Sequence, residues 1–501
     1  MASGQTNPRH RTDPRLAWDT VLDLGADDAP LVARLERAVR DAVHAGRVPA
    51  GAALPPSRAL AETLGVSRWV VTEVYGQLVA EGFCEARVGS GTRIASGAAA
   101  GHGALRPASP TSAHPSSARP ARLTAGGPAG RARLDLAPGV PDLRHVPRTA
   151  WLRAMRDGLA DAPDATLGAP DPAGHPGTRE AVAAYLARAR STRAGADDVL
   201  VTHGATDGMA RLARALRAAG HRALLVEDPS WGRLRDVARD AGLVPVPVAV
   251  DAGGVDVDAL AAAAARTGAR AALVTPAHQF PTGVALAPER RDALVSWARG
   301  VDGLVVEDDY DAEFRYDRRP VAALQGHDPG RVALLGSLSK TVSPAFALGW
   351  AVLPPRWRER LGPQAGGAAP STVDQLALTR FLSDGGYERH LRAARGRFRR
   401  RRAALLDALA AALPGLAVSG LAAGLHVVLG LPDGVPAAAV VRAAAARDVA
   451  VADLRRYRVT AAPQHADVRG EALVVGYGNL ADARLDEAVA GLAAAIRSAR
   501  T

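Results

Sequence analysis

The stretch LLGSLSKTVSPAFALGW (334–350) places Lys340 directly behind an apolar run of strand type. Of the 62 lysine and arginine residues in the chain, Lys340 is the only lysine. Arginine serves charge pairing as well as lysine does, but it has no primary amine that can lose a proton and attack a carbonyl. A sole lysine at the end of a strand therefore reads as a reactive amine. Ligands of open α/β sheets sit at the carboxyl ends of the strands. Working outward, DDVLVTHG (197–204), RALLVEDP (222–229), RAALVTPAH (270–278) and GLVVEDDY (303–310) are further strand-type runs that end in polar residues. Amphipathic helices separate them, which predicts a mostly parallel α/β sheet from about Leu134. An Arg-rich helix follows from about Gly385, and then a smaller α+β unit with weaker strands.

The polar strand ends suggest one chemistry. Asp308 and Tyr310 lie two positions apart, so in extended chain they share a side. In VTHGATDGMARL (201–212) a turn at Gly204 opens a helix whose first N–H groups, on Ala205 and Thr206, form an anion cradle. Trp231 offers an aromatic face, and TPAHQFPTG (275–283) supplies His278 and Gln279 as polar contacts. Pyridoxal phosphate (PLP) needs these groups: an amine, a carboxylate on the pyridine nitrogen, a donor to the phenolic oxygen, a ring to stack on and donors for the phosphate. No metal site is expected.

The first hundred residues are organised differently. LVARLERAVRDAVHAGRV (31–48) has helical apolar spacing, and PPSRALAETLGVSRWVVTEVYGQLVAEG (55–82) reads as helix, turn at Gly65, helix. Ser57 and Ser67 stand where they would cap the two helices. Val70, Val71, Val74 and Leu78 form the buried stripe of the second. Ser67, Arg68, Trp69, Thr72 and Glu73 are left at its exposed N-terminal end, the end that enters a major groove in such motifs. Trp69 would either pack on a thymine methyl or cover the turn. FCEARVGSGTRIA (83–95) gives two short strands whose tip, with Arg87 and Gly89, suits phosphates or a minor groove. Residues 1–25 read as a disordered tail, 26–96 as the DNA-binding domain, and 97–133, rich in Gly, Ala, Pro and Ser, as a flexible linker. Residues 134–384 form the large α/β unit, and 385–501 the small one.

Composition sets bounds on these readings. A chain of 501 residues predicts two or three compact units. With Cys84 alone no internal disulfide forms, and Cys84 is expected in the core of a wing strand. The N-terminus lacks the apolar core of a secretion signal, and no run approaches a membrane span, so a cytoplasmic location is expected. The net charge of +11 permits a nucleic-acid partner without establishing one.

PPSRALAETLGVSR (55–68), VYGQLVAEG (74–82) and RVGSGT (87–92) together resemble the winged helix-turn-helix of GntR regulators. AHQFPTG (277–283), EDDYDAEFRY (307–316) and SLSKT (337–341) resemble fold-type I aminotransferases and, more closely, the MocR subfamily, in which the two modules are fused. The resemblance implies that Arg58, Arg68 and Thr72 contact DNA with Gly89 at the wing. It makes Lys340 the Schiff-base lysine, Asp308 the pyridinium partner, Tyr310 the phenolate donor and Ser337 a phosphate ligand. Arg233 and Arg456 would meet an effector carboxylate, and the chain would form a homodimer on an operator. There are departures: Ala347 replaces the arginine that clamps the phosphate in relatives, Ala169 replaces a tyrosine that reaches across the dimer, and the cradle reads GATDG (204–208). Losing one charge-assisted contact weakens phosphate binding by about 1.5–3 kcal/mol, so PLP binding weaker than the family norm is expected. The implied function is a PLP-responsive transcriptional regulator that senses PLP or an amino compound as an aldimine. Two other readings stay open: an active aminotransferase with an attached DNA-binding module, and a PLP-independent dimeric repressor.

Overall fold

The computed structural model describes residues 18–22, 24, 31–49, 51–80, 84–87, 91–94, 132–316, 321–361, 367–459 and 470–500. The chain divides into two compact units, Met1–Ala121 and Arg122–Thr501. The first contains α1 (Trp18–Val21), α2 (Leu31–His44), α3 (Ser57–Leu64) and α4 (Arg68–Ala80), followed by the antiparallel pair β1 (Cys84–Arg87) and β2 (Gly91–Ile94). Helix α3 stops at Gly65, whose φ of +63° a side chain would strain and whose N–H donates to Ala61 O. Ser67 Oγ then accepts from Val70 N at 3.4 Å and starts α4. Val70, Val71, Val74 and Leu78 bury against Leu35, Val39 and Leu60, with Cys84 and Ile94 from the strand pair closing the core.

Ser57 does not cap α3: it is the first helical residue, Pro56 precedes it, and its hydroxyl accepts from Arg68 Nε instead. Nor is all of 1–25 a tail, because Trp18 and Leu22, one helical turn apart, are buried in this core. Apart from 132 and 133, the expected linker lies outside the described residues, as does Gly89.

In the second unit the helices are α5 (Arg148–Ala160), α6 (Pro176–Arg190), α7 (Ala205–Ala218), α8 (Gly232–Asp240), α9 (Val257–Thr267), α10 (Pro288–Gly300), α11 (Pro355–Leu361), α12 (Thr372–Ser383), α13 (Gly386–Ala412), α14 (Ala437–Ala445) and α15 (Leu485–Ser498). Strand β3 (Leu134–Asp135) comes first. The large sheet uses β4 (Val199–Thr202), β5 (Ala223–Asp228), β6 (Val244–Asp251), β7 (Gly254–Val255), β8 (Ala271–Val274), β9 (Leu304–Asp308), β10 (Val332–Ser337) and β11 (Gly349–Val352). Their order is β4-β11-β10-β9-β8-β5-β6-β7. The five strands from β10 to β6 are parallel, so their carboxyl ends share one edge. Helices cover both faces, which is why β8, β9 and β10 are buried along their whole length. The small sheet is antiparallel, ordered β12 (Val418–Ser419), β13 (His426–Gly430), β16 (Ala472–Gly476), β15 (Ala452–Asp453). Strand β3 pairs in parallel with β14 (Val449–Ala450), so the first stretch of this unit is tied to its C-terminal part rather than to the large sheet.

Candidate functional site

In the first unit the expected DNA-reading residues sit on the exposed ends of α3 and α4. Arg58 is exposed and within 3.3 Å of Glu62, an i,i+4 pair worth little in water. Arg68 reaches Ser57, and Thr72 Oγ1 donates to Arg68 O at 2.9 Å. Trp69 is 66% exposed, so it does not cover the turn and remains available to a partner. For Arg87 only the backbone is described, at the end of β1.

In the second unit a cavity of about 410 Å³ opens at the shared strand edge. Lys340 stands in it, just past β10. Its Nζ donates to Gly139 O at 2.6 Å and lies 5.1 Å from the Trp231 ring centre. Burial lowers the pKa of this amine, while Asp308 and Asp311 act in the opposite direction. A lysine so depressed keeps more of the neutral, nucleophilic form at neutral pH. Asp308 ends β9 and is pushed up to about 7 by burial and by Asp309, against the pull of Lys340. Such a carboxyl, short of positive partners, suits a cationic ring nitrogen.

Tyr310 lines the same cavity. Its hydroxyl lies 3.0 Å from His278 Nδ1, and Asp311 Oδ2 is also 3.0 Å from that nitrogen. With the Nδ1 proton given to the carboxylate, His278 and Asp311 brace Tyr310 from behind. His278 is therefore a support of the phenol and does not line the cavity. Gln279 is also absent from the lining: its Nε2 donates to Glu227 and to Pro229 O, and its Oε1 accepts from Thr282. The expected direct contacts of His278 and Gln279 with the cofactor are thus replaced by roles behind the wall.

At the other end of the cavity, α7 begins at Ala205 after Gly204, whose φ is +90°. A Cβ on Gly204 would come within 4.0 Å of Ser337 Cβ and 3.9 Å of Ser339 Oγ. The N–H groups of the first turn have no helical acceptors, and Ser337 and Ser339 line the cavity with them. Ala347 is exposed at φ +47° and brings no charge. Arg233, exposed, is the one arginine lining the cavity among the described residues. Arg456 is exposed and does not line it; in that turn Tyr457 points inward and stacks on Trp231 at 6.0 Å. The residues present fit PLP at each end: cradle, ring face, carboxylate, phenol and amine.

Sequence reasoning missed several walls of the cavity. Gly139 sits at φ +97°, and a Cβ there would be 3.0 Å from Lys340 Nζ. Its PG dipeptide is a turn signal that could have drawn attention to it. Phe280 sits edge-on to Trp231 at 5.3 Å. His426 donates from Nε2 to Pro281 O at 3.1 Å, and burial holds it at about 3, so it is a neutral ring with Nδ1 left as an acceptor. Nothing in the pattern around His426 signals the site.

Fold and site define a class: an aminotransferase-type cofactor unit carried on the same chain as a helix-turn-helix reader. The model for class I and II aminotransferases matches residues 132–473, and that for bacterial regulatory proteins of the gntR family matches 31–94. The chain is 33% identical to the probable rhizopine catabolism regulatory protein MocR of Rhizobium meliloti, over 75% of this chain and 76% of that one. It is also 33% identical to the pyridoxine biosynthesis transcriptional regulator PdxR of Corynebacterium glutamicum, over 79% and 82%. The second unit superposes on an archaeal alanine:glyoxylate aminotransferase with a TM-score of 0.65 at 23% identity, covering 72% of this chain and 90% of that one. The chain belongs to the MocR-type GntR regulators, DNA-binding transcriptional regulators with an aminotransferase-like domain. The aminotransferase fold implies PLP as the cofactor. Among the described residues no helix is long and apolar enough to cross a membrane.

Proposed function

We propose that this regulator holds PLP through Lys340 and responds to PLP supply or to an amino compound that competes for the cofactor, acting as a homodimer on operator DNA in the cytoplasm. The observation that carries the reading is the gathering of Lys340, Asp308, Tyr310, Trp231 and the start of α7 around one cavity. When bound, PLP supplies an aldehyde and an electron-withdrawing ring. Lys340 presents a depressed amine to that aldehyde, and Asp308 holds the ring nitrogen's proton. Tyr310, braced by His278 and Asp311, directs its hydroxyl to the phenolic oxygen, while Trp231 stacks on the ring. The N–H groups of Ala205 and Thr206 and the hydroxyl of Ser337 take the phosphate. Arg233 is the candidate for an effector carboxylate, and Arg456 serves only if the turn that carries it rearranges. In the reader, Arg58, Arg68, Trp69 and Thr72 face the major groove, with Arg87 and Gly89 at the wing. The reader takes in α1 together with 26–96, and the sensor is 134–501.

The test is a visible spectrum of the full chain with PLP, then borohydride reduction and peptide mapping. A band above 400 nm (on the order expected for a PLP–lysine adduct) with label on Lys340 supports the sensor. No label on Lys340 at saturating PLP refutes it and favours a PLP-independent repressor. Keto-acid formation from amino donors would instead favour an active aminotransferase.

A further inference from the structure

Helix α13 carries eight arginines, and packing within the unit accounts for only part of them. On its buried side Tyr387, Leu391, Phe398 and Leu405 enter the core. Arg401 is buried among them and donates to Asp142 and to the carbonyls of Tyr477 and Gly478. Arg395 donates to Glu313 O at 2.9 Å, and Arg402 to Gly420 O at 3.0 Å. Of the rest Arg397 is half-buried, while Arg392, Arg399 and Arg400 are exposed and without an ion pair among the described residues. With exposed Arg389, which reaches only Asp384 O, they fall at 100° per residue into one stripe opposite the buried face. The stripe is about 16 Å long at 1.5 Å per residue.

Helix energetics gives no reason for this stripe. Arg389 and Arg392 occupy the first two turns, where the macrodipole disfavours cations, and like charges three and four residues apart repel. The acidic neighbour Glu388 is engaged by Arg188, itself 61% exposed, at 3.2 Å. Among the described residues no carboxylate pairs with the stripe, which leaves it open to a counter-charge from outside the chain. Duplex DNA presents one negative charge per ~1.7 Å of axis, a line of anions that a row of guanidinium groups matches without reading sequence. The opposite side of the same helix grips the residue after the cofactor lysine: Tyr387 OH donates to Thr341 Oγ1 at 2.9 Å, and His390 Nε2 donates to Thr341 O at 2.7 Å.

We propose that the exposed arginine stripe of α13 is a second DNA-contacting surface, binding the sugar-phosphate backbone in addition to the winged helix. It rests on the DNA-binding reading of the first unit. The experiment uses the full chain and a mixed-sequence 60-bp duplex (about six helical turns), with affinity followed by fluorescence anisotropy across salt concentrations. Three phosphate contacts predict that the triple variant Arg392→Gln, Arg399→Gln, Arg400→Gln has a log K against log salt slope shallower by about 2.7. Between roughly 50 and 200 mM salt, the wild type then loses about 40-fold more affinity than the variant does. An unchanged slope in a variant that melts like the wild type overturns the proposal. So does loss of wild-type binding to vesicles containing phosphatidylserine with no change on DNA, which would assign the stripe to a membrane surface. A wild-type chain that does not bind the duplex at all sinks the DNA-binding reading as well; normal binding by the wild type with an unaltered variant slope sinks only this one.

Discussion

Arg190 is the residue whose replacement tests the electrostatics of the site most directly. It is fully buried, and its guanidinium holds Asp309 in two parallel bonds of 2.8 Å while also donating to Val321 O. Asp309 belongs to an acidic run in which Glu307, Asp308, Asp311 and Glu313 are all buried as well. Arg190→Met keeps the volume and removes the only guanidinium bonded to Asp309 among the described residues. Breaking one side of a buried pair costs about 3–5 kcal/mol, since the surviving charge stays in low dielectric. The second unit has 380 residues, from 122 to 501. At ~2.1 cal/mol/K of unfolding entropy per residue, that cost lowers its melting temperature by about 4–6 °C. Scanning calorimetry of the full chain reads this on the larger transition. Adding Asp309→Asn to Arg190→Met removes the stranded charge and should restore at least a third of the loss, to order of magnitude. A single variant that melts within about 1 °C of wild type, or a double variant no better than the single, refutes the account of the acidic run.

Asp308 and Gly139 give further outcomes. Because Asp308 is pushed up to about 7 from 3.8, the folded chain binds more protons than the unfolded chain between those values. Its share of stability is therefore present at low pH and lost as pH rises from about 4 through 7. Asp308→Asn should flatten that fall by up to ~1.4 kcal/mol per pH unit and weaken PLP loading by about 10- to 100-fold. Melting at a series of pH values and PLP titration check the two effects, and an unchanged pH profile counts against the site's electrostatics. Gly139→Ala puts a methyl at φ +97° and 3.0 Å from Lys340 Nζ. Circular dichroism should stay unchanged while PLP loading falls at least about tenfold, on the ~1.4 kcal/mol scale of one lost contact; wild-type loading would show that the segment yields at no cost.

Lys340, Asp308 and Tyr310 were legible in the sequence because strand ends are marked by a sharp change from apolar to polar residues, and two-residue spacing fixes the side. The turn at Gly65 and the cap at Ser67 were legible for similar local reasons. Ser57 was misread because a hydroxyl beside a helix start fits either a cap or the first turn, and Pro56 decides which. Trp18 and Leu22 belong to the core, yet polar residues around them give a short window the composition of a tail. Gln279 and Arg456 fail for a different reason: which side chain of a loop faces inward depends on neighbours distant in sequence. Pro229 and Glu227 claim Gln279, and Trp231 selects Tyr457 over Arg456. His426 enters the cavity from the small sheet, a placement that only the tertiary pairing of β13 with β16 creates.

The bond from Lys340 Nζ to Gly139 O joins the sole lysine to an early stretch of the second unit, five residues beyond the start of β3. That stretch is also zipped to the C-terminal part through β3 and β14, with Leu136 N donating to Ala450 O. A group that took up the Nζ donor of Lys340 would free that carbonyl, and the change would fall on the backbone at Gly139, some two hundred residues earlier in the chain.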